Sequence, residues 1–153
     1  MKIPVGMFRI GKEVLRHLLR RPVVGIAAAA RTPDGRWLLV RRSDTGGWAL
    51  PGGTLEWGET LKSALERELK EETGAPLRAL GRLVGVYSGA ARDPRFHAVT
   101  IVVEASVGTP AAAENPAEIV EVRAFDDAEL PRELSHGMTD MLEDARAGRT
   151  FWE

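Results

Sequence analysis

Six glutamates lie between Gly52 and Gly74, in a stretch too short to keep their carboxylates far apart: Glu56, Glu59, Glu66, Glu68, Glu71 and Glu72. Carboxylates at such spacing repel each other unless cations lie among them. Carboxylate oxygens, together with the backbone carbonyls of a glycine-rich segment, are the ligands that Mg²⁺ and Mn²⁺ prefer. The pattern therefore predicts a divalent-metal site. The alternative is an acidic helix face that only solvates the surface.

The residues around these glutamates predict the helix that would position them. Glu59 and Thr60 can satisfy the free N–H groups of a first turn, and Gly74 can adopt the left-handed conformation that ends a helix. An apolar stripe for packing lies between these limits: Leu61, Ala64, Leu65 and Leu69. At about 100° per residue, three carboxylates of the last turns can converge on one point. These are Glu68, Glu71 and Glu72.

The same segment carries a recognisable motif. It reads Gly53, five residues, Glu59, seven residues, and then the run RELKEETGA from Arg67 to Ala75. This resembles the Nudix box, GX5EX7REUXEEXGU, in which U is a bulky aliphatic residue. The one departure is Ala75, which is small where a larger aliphatic residue is usual, and it affects a packing contact rather than the chemistry. The resemblance implies an α/β fold, a Nudix α/β/α sandwich with a mixed central sheet, over residues 23 to about 145.

The resemblance also implies roles for the residues of the box. Glu68 and Glu72 are expected to bind Mg²⁺ or Mn²⁺, with the Gly52 carbonyl completing the site and Glu71 sharing or bridging a second ion. Arg67 is expected to orient the glutamates without touching the substrate. The remaining acids of the loop, Glu56 and Glu59, are weaker candidates that would act through water or hold the loop.

A general base that accepts a proton from the attacking water is less well defined by the motif. In relatives that act on ADP-ribose it is commonly a glutamate on a loop beyond the box. Glu114 and Glu118, which flank an Asn-Pro dipeptide, are the first candidates here. Glu68 or Glu71 is the alternative, and Glu118 is also interpretable as a surface acid before a strand.

Basic and aromatic residues outside the box are candidates for binding the substrate: Arg41, Arg42, Tyr87, Arg92 and Arg95. The segment from Gly85 to His97 looks like the ADP-ribose pyrophosphatase branch of the family, in which such a loop helps to bind the sugar or the second phosphate. An arginine can hold a phosphate through two hydrogen bonds. The alternatives are surface arginines and a tyrosine that belongs to the core.

The expected activity follows from the resemblance. It is hydrolysis of the pyrophosphate bond of a nucleoside diphosphate sugar, of the ADP-ribose or GDP- or UDP-sugar type, to a nucleoside monophosphate and a sugar phosphate. The rival hypothesis is a pyrophosphohydrolase for (deoxy)nucleoside triphosphates, which would release pyrophosphate. A third hypothesis is a non-catalytic nucleotide-binding sensor, against which the intact box argues.

Composition limits the remaining possibilities. The chain has 153 residues, 44% hydrophobic residues and a net charge of −1. This size predicts one domain with its own core. The charge creates no global field for nucleic acid or an anionic membrane, so neither is an expected partner. The chain has no cysteine, which excludes disulfides and thiol chemistry and is compatible with the cytoplasmic location that we expect.

Residues 1–22 differ from the rest. Apolar residues recur there at helical spacing, and basic residues fill the other face, which predicts an amphipathic N-terminal helix ahead of a hydrolase domain over 23–153. This helix is expected to pack on its own domain or on the second subunit of a homodimer. A helix at a membrane surface is the alternative.

Apolar runs and alternation predict the strands of the sheet. They cover residues 23–30, 36–41, 77–87, 97–107 and 119–125. The stretch 48–53 is interpreted as a short strand that ends in a tight glycine turn. A short helix is expected to begin at Asp126, and a longer one is expected over 135–148.

Overall fold

Strands and helices alternate along the chain in this computed structural model, which describes Ile10, Leu15, Leu18 and residues 20–153. The predicted N-terminal helix over 1–22 lies outside the described residues except at the three isolated positions and at 20–22. Within the described part of the chain, no helix combines the length and apolar character needed to cross a bilayer.

The described part of the chain contains eight strands, two α-helices and two short 3-10 helices. The strands are β1 (Val23–Arg31), β2 (Trp37–Arg42), β3 (Trp48–Ala49), β4 (Gly52–Thr54), β5 (Leu77–Tyr87), β6 (Ala98–Val107), β7 (Ile119–Phe125) and β8 (Phe151–Trp152). The α-helices are α1 (Leu61–Thr73) and α2 (Thr139–Arg146). Two 3-10 helices cover Asp127–Glu129 and Ser135–Gly137.

The strands form one mixed sheet in the order β3-β2-β1-β6-β5-β8, with β4 paired to β1 and β7 paired to β2. β1 and β6 run parallel over nine residue pairs, from Val23–Ala98 to Arg31–Ser106. β5 and β6 run antiparallel. The predicted mixed sheet is confirmed.

The alternation of β1 explains the three layers. Ala27 and Ala29 point to a core that includes Met141 and Leu142 of α2. Ile26, Ala28 and Ala30 point to the other face, where the core includes residues of α1: Ala64, Leu65 and Leu69. Because both faces of β1 are buried, its sequence is a continuous apolar run rather than an alternating one. The predicted α/β/α sandwich is confirmed.

Helix α1 has the limits that its sequence predicts. The Thr60 side chain accepts a hydrogen bond from the Ser63 amide, and the Ser63 side chain accepts one from the Thr60 amide. Gly74 ends the helix in the left-handed conformation, with φ of 63°. The Thr60 cap and the Gly74 stop are both local signals, so the sequence alone is enough to predict them.

The glycine pair before α1 is not the tight turn that the sequence suggested. Gly52 and Gly53 belong to β4, and they lie opposite Ala27 and Ile26 in an antiparallel pair. A Cβ on Gly52 would lie 2.2 Å from the Ile26 carbonyl oxygen. The backbone of Gly52 thus approaches a strand 25 residues away rather than the next residues of a turn.

The C-terminal segment also differs from the prediction. The helix expected over 135–148 is divided into a 3-10 turn and α2, because His136 adopts φ of 57° and ψ of 31°. The short strand β8, which pairs in parallel with β5, has no counterpart in the prediction.

Candidate active site

Arg67 organises three carboxylates, one from the loop before α1 and two from the second half of α1. Its Nε donates to Oε1 of Glu59 at 2.8 Å, and its Nη1 donates to Oε1 of Glu68 at 2.8 Å and to Oε2 of Glu71 at 3.4 Å. Its Nη2 also reaches the Thr54 carbonyl at 3.1 Å. Hydrogen bonds from Arg67 lower the pKa of Glu59 to about 2. The guanidinium therefore holds three glutamates and the end of β4 in one arrangement.

Glu72 is the buried member of the cluster, with only 5% of its surface exposed. Its Oε2 accepts a 2.9 Å hydrogen bond from the Gly52 amide, and its Oε1 lies 3.8 Å from Nη1 of Arg42. Burial raises the pKa of Glu72 to about 8; the Gly52 amide opposes this shift, and the Glu68 charge adds to it. The carboxylate thus has less cationic compensation than its burial requires.

Glu68 lies directly over Gly53. A Cβ at Gly53 would fall 2.2 Å from Oε1 of Glu68, so only glycine leaves room for this carboxylate beside the sheet. Burial raises the pKa of Glu68, and the hydrogen bond from Arg67 opposes that shift.

A cavity of about 200 Å³ lies among the glutamates. It is lined by Glu68, Glu71, Glu72, Glu114, Asn115, Glu118 and Ile119. Of the described residues that line it, none is cationic. Five carboxylates around one small space are the all-oxygen, negatively charged donor set that a hard divalent ion takes.

The side chains do not themselves form a finished coordination shell. Among the residues that the structure describes, no three His, Cys, Asp or Glu side chains converge as metal ligands. Glu68 and Glu71 face Arg67, and Glu72 faces the Gly52 amide. The donor set fits a divalent ion by its chemistry, since every side chain but Asn115 and Ile119 that lines the cavity is a carboxylate. Gly52 contacts the cluster through its amide, and its carbonyl as a ligand stays a prediction.

A larger cleft of about 400 Å³ adjoins the glutamates and shares Glu68, Glu71 and Glu118 with the small cavity. This volume is within the usual range for a small-molecule site. Its wall also includes residues from four other parts of the chain: Arg42, Gly53, Arg67, Asp93, Arg95, Phe96, His136 and Met138. The cleft thus places cationic, acidic and apolar groups around one space.

Two of the predicted substrate arginines line this cleft. Arg42 lies between carboxylates, with Nε 3.0 Å from Asp44 and Nη2 3.2 Å from Glu118. Arg95 donates to Asp93 at 2.7 Å and to Asp44 at 3.2 Å, and its guanidinium lies 5.0 Å from the Phe96 ring centroid.

The other three predicted substrate residues lie elsewhere. Arg41 pairs with Glu121 at 2.8 Å, and Arg92 pairs with Asp140 and Glu153. Tyr87 is 1% exposed and donates to Oδ2 of Asp144 at 2.9 Å.

None of these three is among the described residues that line the cleft. For Tyr87 the structure supports the alternative of a core residue, because its ring and its hydroxyl are both occupied inside the protein. Arg41 and Arg92 likewise form ion pairs with carboxylates outside the cleft. We therefore leave all three out of the proposed substrate site.

The two candidate bases are placed differently. Glu118 lines both cavities and is held by Arg42. Glu114 lines the small cavity but is not among the residues that line the larger cleft. Its carboxylate lies 4.0 Å from Nζ of Lys70. The loop between them is fixed to α1, because the Glu114 amide donates to the Glu71 carbonyl at 2.7 Å.

Sequence reasoning missed three residues that line the cleft: Asp93, His136 and Met138. It also missed Asp44, which pairs with Arg42 and Arg95. Asp44 and Asp93 each lie two residues from an arginine that they bind, Arg42 and Arg95. That spacing is the only signal the sequence offered for the pair. Nothing local marks His136, because its place depends on loops that meet only in the fold.

Comparison with known proteins identifies the family of the chain. A model of the NUDIX domain matches residues 19–145. The chain belongs to the Nudix family. The ADP-ribose pyrophosphatase of Methanocaldococcus jannaschii is 42% identical to it over 103 residues, which are 65% of this chain and 59% of that protein. The chain thus spans about three fifths of the length of that relative.

Two solved Nudix structures have a similar fold. The MutT NUDIX hydrolase from Burkholderia pseudomallei matches with a TM-score of 0.70 and 32% identity, over 82% of this chain and 98% of that one. An ADP-ribose pyrophosphatase from Streptococcus suis matches with a TM-score of 0.70 and 25% identity, over 87% of this chain and 100% of that one.

Proposed function

We propose that this Nudix protein hydrolyses the pyrophosphate bond of a nucleoside diphosphate sugar, of the ADP-ribose or GDP- or UDP-sugar type, with the aid of Mg²⁺ or Mn²⁺. The products are a nucleoside monophosphate and a sugar phosphate. The observation that carries the proposal is the 200 Å³ cavity lined by five glutamates beside a cleft lined by Arg42 and Arg95. The similarity to ADP-ribose pyrophosphatases from two organisms supports this substrate class.

The acidic residues of α1 have the first task in this proposal. Glu68, Glu71 and Glu72 hold the divalent ion, which, when bound, shields the charge of the diphosphate and lowers the pKa of water. Arg67 keeps Glu59, Glu68 and Glu71 in place, and the Gly52 amide does the same for Glu72.

The cleft residues have the second task. Arg42 and Arg95 bind phosphate oxygens, for which a guanidinium offers two parallel N–H groups. Glu118 accepts the proton of the attacking water at its carboxylate, because it lines both the glutamate cavity and the cleft. Glu114 is the second candidate for the same role.

Product analysis tests the proposal. The protein is incubated with Mg²⁺ and, separately, with ADP-ribose, a GDP-sugar, a UDP-sugar and the deoxynucleoside triphosphates. We expect nucleoside monophosphate and sugar phosphate in equal amounts from at least one sugar nucleotide, and no product when EDTA is present. Turnover of triphosphates alone would reject the sugar nucleotide as the substrate.

A second candidate activity is hydrolysis of a (deoxy)nucleoside triphosphate to the monophosphate and pyrophosphate. It is favoured by the similarity to the nucleoside triphosphatase NudI of Escherichia coli, which is 45% identical over 49 residues, or 29% of this chain. Both activities use the same glutamates, so the leaving group distinguishes them. Pyrophosphate indicates the triphosphatase, and a sugar phosphate indicates the sugar nucleotide hydrolase.

We also propose that the protein forms a homodimer. Apolar side chains are exposed at Ile10, Leu15 and Leu18, and at Leu80 and Leu83 of β5. Gel filtration of the full chain and of a chain that begins at Pro22 tests the role of the N-terminal segment. Loss of the dimer on truncation is expected, and an unchanged dimer would remove that role. A cytoplasmic location stays a prediction.

A further inference from the structure

His136 is the most unusual residue of the cleft wall. It has φ of 57°, the one positive φ of a non-glycine residue in the described part of the chain. Its imidazole is 4% exposed, and its buried Nε2 has no hydrogen-bond partner. A buried nitrogen without a partner destabilises the fold, because it has lost its hydrogen bonds to water and gained none in return. An arrangement that combines backbone strain with an unpaired polar atom is held by its surroundings and calls for an explanation.

The surroundings that hold His136 come from separate parts of the chain. Ser135 Oγ lies 2.8 Å from Thr45 Oγ1, and the Leu134 amide donates to Thr139 Oγ1 at 2.9 Å. These bonds fix the 3-10 turn on both sides of the imidazole. They restrain the backbone on which the ring is carried, one by joining it to the loop after β2 and the other by joining it to the start of α2.

The imidazole lies between two carboxylates, just beyond hydrogen-bond distance of each. Nε2 is 3.7 Å from Oδ2 of Asp44, and Nδ1 is 3.9 Å from Oδ1 of Asp93. A neutral imidazole has one N–H and can donate to only one of them, whereas the protonated ring can donate to both. The two carboxylates are thus placed to accept hydrogen bonds from a protonated His136, but at these distances neither hydrogen bond is formed.

Arg95 occupies that site instead. Its Nη2 is 2.7 Å from Oδ2 of Asp93 and its Nη1 is 3.2 Å from Oδ2 of Asp44. Arg42 also binds Asp44, with Nε 3.0 Å from Oδ1. The charged groups that face His136 are therefore two carboxylates, Asp44 and Asp93, and two guanidiniums, Arg42 and Arg95. Burial and then the Arg95 charge lower the pKa of His136, and both favour the neutral ring.

Asp93 makes the arrangement sensitive to the position of Arg95. Its side chain is 9% exposed, and it faces the same cleft as Arg95. If Arg95 turned towards a phosphate in the cleft, Asp93 would lose two hydrogen bonds from the guanidinium and keep the one from the Arg95 amide. A carboxylate so buried is costly without a cation beside it.

We propose that an anionic phosphate group bound in the cleft draws Arg95 away from Asp93 and Asp44, and that His136 replaces the guanidinium between these two carboxylates by taking up one proton from solvent. His136 is in this sense a positioning residue: it lets Arg95 move to the ligand without leaving Asp93 unpaired. This inference rests on one part of the proposed function, namely that the cleft binds a ligand that carries phosphate. It does not depend on which pyrophosphate bond is cleaved.

The inference is tested by NMR titration of the three histidines, His17, His97 and His136, with EDTA present to remove divalent ions. His136→Asn identifies the resonance of His136. We expect its titration midpoint to lie below the ordinary value in the free protein, and to rise by about one pH unit, a tenfold change in proton affinity, when AMP or inorganic pyrophosphate saturates the cleft.

Two variants separate the role of Arg95 from a direct effect of the ligand charge. Arg95→Gln should raise the His136 midpoint in the free protein by a similar amount, and a ligand should then add little. Arg132→Gln removes a nearby charge that does not face His136, and it should leave the midpoint unchanged. A midpoint that responds to only one of the ligand and Arg95→Gln, or to neither, would overturn the inference.

Failure of the proposed function would look different. If the histidine midpoint behaves as expected but no sugar nucleotide is hydrolysed with Mg²⁺, the exchange stands and the proposed reaction is rejected. If sugar nucleotides are hydrolysed and the midpoint of His136 does not respond, the reaction stands and the exchange is rejected.

Discussion

The backbone amide of Gly52 donates a 2.9 Å hydrogen bond to Oε2 of Glu72. This single contact joins β4 to the last turn of α1, and β4 in turn pairs with the central strand β1. The most buried carboxylate of the cluster is therefore fixed against the sheet, while the other glutamates are held by Arg67. Helix α1 thus carries both the candidate metal ligands and part of the core, and β4 fixes its last turn against the sheet.

Gly53→Ala should damage the site and spare the fold. The new Cβ would lie 2.2 Å from Oε1 and 2.4 Å from Cδ of Glu68. Because that carboxyl is the far end of a flexible side chain, it can turn away while the sheet remains intact. We expect kcat/KM with Mg²⁺ to fall at least tenfold, or about 1.4 kcal/mol.

Gly58→Ala is the matched control for that variant. Gly58 has φ of 86°, with no atom within 4 Å of a new Cβ. This change should lower the free energy of unfolding by about 1 kcal/mol while catalysis stays within about twofold of the wild type. Equal activity of Gly53→Ala and the wild-type protein would contradict the role given to Glu68.

Glu118→Gln should lower kcat far more than Glu114→Gln. Glu118 lines both cavities and lies 3.2 Å from Arg42, whereas Glu114 faces Lys70 at 4.0 Å. A general base contributes on the order of 10²–10⁴ to the rate, so a loss of about a hundredfold is expected for Glu118→Gln. Steady-state kinetics of both variants measure this. The reverse order would assign the base to Glu114.

Tyr87→Phe should reduce stability without affecting substrate binding. The lost hydroxyl donates to Asp144, whose other oxygen accepts from Nε of Arg149 at 2.8 Å. Removing one partner of a buried hydrogen bond costs about 1–2 kcal/mol, which urea unfolding would detect. An unchanged free energy of unfolding together with a raised KM would return Tyr87 to the substrate site.

Asp127 should stabilise the folded protein at neutral pH but not in strong acid. Hydrogen bonds from Arg146 and then from Trp37 lower the pKa of Asp127 to about 2, and the Trp37 contact is 3.0 Å from Nε1 to Oδ1. Since the pKa is lower in the folded protein, the contribution is present above the unfolded value of about 3.9 and is lost as pH falls through about 2.

The test compares urea unfolding of Asp127→Asn with the wild-type protein at pH 7 and pH 2. Because the side chain is largely exposed, we expect a loss of under about 1 kcal/mol at pH 7 and little or none at pH 2. Glu129→Gln, in the same 3-10 helix, serves as the control. A deficit of the same size at both values of pH would exclude the ionic interaction as its cause.

Local signals account for what the sequence predicted well. Thr60 and Gly74 limit α1 through bonds to residues within a few positions, and the spacing of the glutamates places them on this helix. The continuous apolar run of β1 and the alternation of β6 depend only on which residues are apolar. These features need no knowledge of distant partners.

Distant partners account for the errors. Tyr87 was a candidate substrate residue because its hydroxyl partner, Asp144, lies 57 residues further along the chain. The strand β4 was interpreted as a turn because its partner β1 is known only from the fold. His136 was missed because its left-handed conformation depends on a turn that contacts Thr45, 90 residues away from Ser135.

Mn²⁺ binding, followed by electron paramagnetic resonance, tests most directly whether the glutamates of α1 hold a divalent ion. The wild-type protein is compared with Glu72→Gln and with Glu66→Gln, whose exposed carboxylate pairs with Lys62 on the same helix. We predict that Glu72→Gln weakens Mn²⁺ binding at least tenfold, about 1.4 kcal/mol, and that Glu66→Gln does not. Equal Mn²⁺ affinity in all three proteins would contradict the account.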